Sequence, residues 1–129
     1  MSVIDIARGK AQFHPVLTAL GYSLGTEAPH GISWDKDGET ELIIFQIRDE
    51  ADAVPHRHGE TGWQHLAFAL DSRTEVDRLH AIAMDAGWTA VRKPKLYPRF
   101  NDRYYASFVE DDSGIRVEFV HNPPREPSE

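Results

Sequence analysis

The stretch Gly62–Arg92, GWQHLAFALDSRTEVDRLHAIAMDAGWTAVR, decides the fold, because its hydrophobic period changes twice. Its first part alternates: Gln64, Leu66, Phe68 and Leu70 against Trp63, His65, Ala67 and Ala69, the two-residue period of a strand. Ser72–Glu75, SRTE, then has the form of a capping box, whose hydroxyl and carboxylate satisfy free amides at a helix start. Val76, Leu79, Ala83 and Ala86 follow at helical spacing, and Gly87 stands where a glycine C-cap belongs. WTAVR (88–92) resumes a strand. YYASFVE (104–110) and GIRVEFV (114–120) are two more, joined by the turn EDDSG. The unit is one strand, a helix and three strands.

Working outward, FHPVLTALGYSL (13–24) aligns with LHAIAMDAGWTA (79–90) at an offset of 66 residues. Phe13 meets Leu79, His14 meets His80, Gly21 meets Gly87, Tyr22 meets Trp88, and the same offset places Asp5 on Asp71. The repeat implies a second copy of the unit. It reads as a helix, GYSLGTE, HGISWD and, after the turn KDGE, TELIIFQI. Pro15 inside the helical pattern predicts a helix that is kinked or starts late. Only MSVI precedes Asp5, so the opening strand of this copy is truncated. The expected fold class is α+β, with βαβββ twice in a single domain over 1–129: module one about 1–50, module two about 60–122. The Pro-rich tail at 122–129 is expected to fray from His121 onward.

A chain of 129 residues buries enough apolar surface to fold without staples. It has no cysteine, which excludes disulfides, thiolate metal sites and cysteine nucleophiles and suits a reducing, cytoplasmic setting. A formal net charge of −7 argues against a nucleic-acid partner and suits a cationic ligand. The one dense basic stretch, VRKPKLYPR (91–99), is broken by Pro94 and Pro98 and reads as a solvated loop. No apolar run approaches the ~20 residues a membrane span needs, and MSVIDIARGK lacks a signal-peptide core. Nucleophile, phosphate-loop and dinucleotide motifs are absent from the sequence.

The titratable residues inside strands carry the functional question. Alternation puts Ile115, Val117 and Phe119 toward the helices and Arg116, Glu118 and Val120 away from them, on the kind of face that holds His65. Two readings are open for His65, a cavity residue or a satisfied structural histidine. Glu118 either lines the cavity or pairs with Arg116. Tyr105, Ser107 and Val109 alternate against Tyr104, Ala106 and Phe108, and Tyr105 reads as a pocket wall with a hydroxyl handle or as ordinary core. His14 and His80, at matching helix positions, read as packing.

These segments, GWQHLAFALDSRTEVDRLHAIAMDAGW, YYASFVEDDSGIRVEFV and FHPVLTALGY, together resemble the vicinal oxygen chelate superfamily. That group contains glyoxalase I, fosfomycin and bleomycin resistance proteins and extradiol dioxygenases. The resemblance implies two modules forming a cupped mixed sheet, a small organic ligand, a divalent metal and a homodimer. His65 of QHLAF and Glu118 of RVEFV match the two metal ligands of the second module, and Glu118 would also be the catalytic proton-shuttling base of glyoxalase-type chemistry. Imidazole with carboxylate suits Fe, Mn, Ni or Zn. The family's third ligand lies on the first strand of module one, and the repeat offset puts its counterpart before Met1. Its fourth lies on TELIIFQI, where matching the face of Glu118 leaves Leu42, Ile44 or Gln46, of which only Gln46 could ligate. His56 and His58 in VPHRHGE are either substitute ligands or solvated loop residues. Tyr105, Trp63 and Gln46 are the expected substrate contacts. Two functions compete: a metal-assisted enzyme of lyase or dioxygenase type, and a metal-free protein that binds or sequesters a drug or metabolite.

Overall fold

In the computed structural model, which describes residues 1–127, the chain forms β1 (Ser2–Val3), α1 (Ile6–Ala19), β2 (Ser23–Ala28), β3 (Gly31–Lys36) and β4 (Glu39–Gln46). The second half repeats that order with β5 (Leu66–Ala69), α2 (Arg73–Asp85), β6 (Thr89–Leu96), β7 (Tyr105–Glu110) and β8 (Arg116–His121). The strands make two mixed four-stranded sheets, ordered β1-β4-β3-β2 and β5-β8-β7-β6. In each, the first strand runs parallel to the last and the remaining pairs are antiparallel. This is the βαβββ unit twice, as the alternation and the repeat predict. No helix among the described residues is long and apolar enough to cross a membrane.

Each helix covers one face of its own sheet, and the two helices pack on each other. One continuous core results, in which Phe13, Val16 and Leu17 of α1 join Val76, Leu79 and Ala83 of α2, with Trp34, Ile44, Val117 and Phe119 from the sheets. Phe13 meets Trp88 edge-on at 4.8 Å, a favourable aromatic geometry at the junction of the halves. Both indoles in this core satisfy their donors, Trp34 Nε1 on His14 Nδ1 at 3.0 Å and Trp88 Nε1 on the Gln12 carbonyl at 2.7 Å. His14 is therefore a packing residue.

Four sequence expectations change. Helix α1 neither starts late nor waits for Pro15: Asp5 caps it, its carboxylate accepting from the Arg8 amide at 2.9 Å. Pro15 is exposed, and so is Ala11, whose carbonyl loses its helical donor where water can replace it. The cap equivalent to Asp5 is Ser72, one residue beyond the Asp71 given by the repeat, because α1 is one residue longer than α2. The basic stretch is not a loop: β6 continues through Pro94 to Leu96. Proline is tolerated there because β6 is an edge strand and its register shifts between Arg92 and Lys95. Nor does the chain fray at His121, which ends β8 opposite Tyr105, its Nδ1 2.8 Å from the Leu70 carbonyl. Arg103 Nε donates to the Pro123 carbonyl at 3.1 Å, and the last two tail residues, 128 and 129, lie outside the described residues.

Strand β1 is only two residues long, pairing Ser2 with Phe45 and Val3 with Gln46. Phe45 N–H donates to the Met1 carbonyl and Ile47 N–H to the Val3 carbonyl, which extends the parallel ladder at both ends.

Candidate functional site

Strand register assembles the site. Across the second sheet, Ala67 pairs with Glu118, Glu118 with Phe108, and Phe108 with Arg92. The next row is Ala69, Val120, Ala106 and Lys95. Directly paired residues point to the same side of a sheet, and the intervening residues Val117 and Phe119 are buried under α2. Both rows therefore lie on the face the helices leave open.

Glu118 is the buried centre of that face, 2% exposed. Its Oε1 lies 2.8 Å from His65 Nε2, and its Oε2 accepts a hydrogen bond from the Tyr104 hydroxyl. His65 Nδ1 lies 3.1 Å from Gln64 Oε1. The imidazole also packs edge-on against Phe108 at 5.7 Å. Burial first, and then the hydrogen bond to Glu118, push the Tyr104 hydroxyl far above the ordinary tyrosine range, so it remains a donor.

Of the residues expected at the site, His65 and Glu118 are brought together. Arg116 does not compete for Glu118; its Nη2 pairs with Glu110 Oε1 at 2.7 Å. Tyr105 stands on the opposite, helix-facing side, donating to Asp77 Oδ1 of α2 at 2.6 Å, and the adjacent Tyr104 takes the place expected for it. Gln46 shares the side of Val3 and Ile44 rather than that of Glu118. Its amide bridges the turn into α1, accepting from Ile6 N–H at 2.8 Å and donating to the Ile4 carbonyl. Trp63 is partly exposed two residues before His65. His56 and His58 lie against the segment leading to His65, at 2.8 Å from the Trp63 carbonyl and 3.3 Å from the Gln64 carbonyl.

The sequence reading did not select Tyr104, Tyr97, Phe108 or Arg92. Tyr97 packs against Tyr104 at 6.0 Å and Phe108 at 5.9 Å, on either side of the fully buried Ala106. The signal for Tyr104 was present in the turn: counting back from the EDDSG hairpin pairs Glu118 with Phe108 and so selects Phe108, Ala106 and Tyr104.

The counterpart position in the first sheet follows from the same bookkeeping. Ser2 and Ala69 each stand three residues before their helix cap, and they pair with Phe45 and Val120. Ile43 therefore occupies the place of Glu118. Ile43 and Phe45 are both exposed. Phe45 borders two adjoining hollows of about 470 and 880 Å³, Ile43 the smaller and Gln46 the larger.

This donor set does not fit a divalent ion. His65 Nε2 and Glu118 Oε1 at 2.8 Å could be neighbouring ligands of one ion. A usable site needs at least a third donor. The other oxygen of Glu118 holds a protonated tyrosine, and the first-sheet counterpart of Glu118 is the apolar Ile43. Among the described residues no group of three His, Cys, Asp or Glu is arranged to hold a metal.

The chain belongs to the glyoxalase/bleomycin resistance protein/dioxygenase superfamily, whose model matches residues 16–119. It is 31% identical over 118 residues to the uncharacterized protein YqjT of Bacillus subtilis (strain 168), covering 92% of this chain and 91% of that one. Among solved structures, a candidate glyoxalase from Bacillus halodurans superposes with a TM-score of 0.77 at 26% identity, over 94% of this chain and 90% of that chain. A glyoxalase/bleomycin resistance protein from Albidiferax ferrireducens T118 shares the fold, with a TM-score of 0.73 at 22% identity over 95% and 94% of the two chains.

Proposed function

We propose that this protein binds a small organic molecule without a divalent metal, over the open face of the second sheet, with the first sheet of a second copy closing the pocket. The observation that carries the reading is the engagement of Glu118. Both of its oxygens are committed inside the chain, to His65 and to Tyr104, and the matching position of the first sheet is the apolar Ile43. An apolar lid over a satisfied polar centre suits ligand capture. Ile43 and Phe45, exposed side chains beside the hollow of about 470 Å³, supply the apolar surface a second copy would cover.

A specific observation favours a second reading, metal-assisted catalysis of lyase or dioxygenase type: His65 and Glu118 stand face to face at 2.8 Å. Metal analysis of protein purified without chelators, followed by calorimetric titration with Zn(II), Ni(II), Mn(II) and Fe(II), separates the two. The binding reading expects no stoichiometric uptake that depends on His65. Stoichiometric uptake lost in His65→Ala would replace it with the catalytic one.

A further inference from the structure

The rim of the open face carries a charge that the overall balance conceals. The protein is acidic, at −7, yet the outer strand of this face presents Arg92 and Lys95. Lys95 Nζ sits over the Tyr97 ring at 4.9 Å. Arg92 is exposed and has no ion-pair or hydrogen-bond partner among the described residues, although it lies in the same cross-strand row as Glu118. The carboxylate that could attract it is already held by His65 and Tyr104.

A second, independent feature lies beside it. Tyr97 is 7% exposed, and its hydroxyl is buried with no hydrogen-bond partner among the described residues. A buried hydroxyl without a partner carries an uncompensated desolvation cost. Arg92, Glu118 and Arg99 all act on it, and its ring packs on Tyr104 and Phe108 of the open face. Burial, more than these charges, pushes its ionisation up, so the group remains an O–H donor. Two donors, one cationic and one neutral, thus flank Phe108 without an acceptor among the described residues. Next to them Phe108, paired with Arg92 and packed on Tyr97, provides an aromatic wall, and across Glu118 and Val120 the exposed Ala67 and Ala69 leave a small-residue floor at the far edge of the sheet.

The geometry points to a flat organic acid as the ligand: its carboxylate is held by the Arg92 guanidinium and the Tyr97 hydroxyl, and its apolar body lies against Phe108 and runs across the open face toward Ala67 and Ala69. This rests on the metal-free binding reading and names the ligand class. It also reverses the cationic ligand that net charge alone suggests, because recognition is decided by the charges at the rim rather than by their sum.

The test uses three isosteric probes on the full chain, 1-naphthylacetate, 1-naphthylacetamide and a naphthylalkylammonium, with amide shifts at Ala67, Ala69 and Phe108 as the readout. The acid should bind about tenfold more tightly than the amide, with an affinity that falls with added salt. Arg92→Gln should remove that preference, weakening the acid far more than the amide. Tyr97→Phe should weaken the acid several-fold and leave the thermal midpoint of the free protein unchanged or higher, since the hydroxyl it removes has no partner. Equal affinity for acid and amide, or tighter binding of the ammonium, overturns the organic-acid class while leaving the pocket reading intact. A lower midpoint in Tyr97→Phe overturns it too, because the hydroxyl would then have a structural partner. If none of the probes shifts these amides at about 10 mM, weaker than any useful capture, the pocket reading falls with it.

Discussion

Asp111, in the turn between β7 and β8, offers a quantitative test of how the site is held. It is 7% exposed, and its Oδ1 accepts from the amides of Ser113 at 3.0 Å and Ile115 at 2.8 Å, while Oδ2 has no partner among the described residues. Burial raises its pKa from 3.8 to about 6, against the lowering effect of the two amides. Between those values the folded chain keeps a proton that the unfolded chain has released, so stability falls as pH rises through this window. The penalty is absent below the unfolded value, complete above the folded one, and worth about 3 kcal/mol at 1.36 kcal/mol per pH unit. Asp111→Asn retains the Oδ1 acceptor and cannot ionise. Urea unfolding followed by tryptophan fluorescence should show the variant about as stable as wild type near pH 4 and about 2–3 kcal/mol more stable near pH 8. A difference that stays flat with pH, or a variant less stable near pH 8, would refute the argument. The consequence reaches beyond the turn itself. Asp112 pairs with Arg8, and Ser113 Oγ accepts from Ile4 N–H, so this turn ties the first half of the chain to the strand carrying Glu118.

Three further outcomes follow from contacts at and around the site. Gly114→Ala should destabilise by at least about 3 kcal/mol in thermal or urea unfolding, because Gly114 has φ +78° and a Cβ there would lie 2.0 Å from the His56 carbonyl oxygen. Wild-type stability in that variant would mean the 54–64 segment is not held against the turn. Tyr104→Phe strips the buried Glu118 Oε2 of its donor and should cost about 1–3 kcal/mol, whereas Tyr105→Phe, on the other face, should leave probe binding unchanged. Sedimentation at micromolar concentration should find a dimer that Phe45→Glu disrupts; a wild-type monomer would remove the proposed lid.

Much of the architecture was legible from short windows of sequence. The alternation of WQHLAFAL, the SRTE cap and the glycine at 87 all report local backbone geometry, and they correctly placed β5, α2 and the βαβββ order. The pairing of His65 with Glu118 was legible through the family's motifs as well as through their shared face. Alternation could say that Tyr104, Ala106 and Phe108 share a side, but not that it is the side of Glu118; a one-residue slip exchanges the two sets, and Tyr105 was selected in place of Tyr104. The same slip chose Gln46 over Ile43, because the first sheet's register depends on a two-residue parallel strand that the repeat located one position out. Strand β6 was undercut by its prolines and charges, which an edge position with shifted register accommodates. The placing of Arg92 and the orphaned Tyr97 hydroxyl on either side of Phe108 was invisible, since bulges reset the faces of β6 before the chain reaches Tyr97. Periodicity is a property of the local backbone and is present in every window of the chain. Which alternating set becomes core and which becomes site is settled only when helices cover one face of a sheet and strands find their partners, a choice made by burial across the whole molecule.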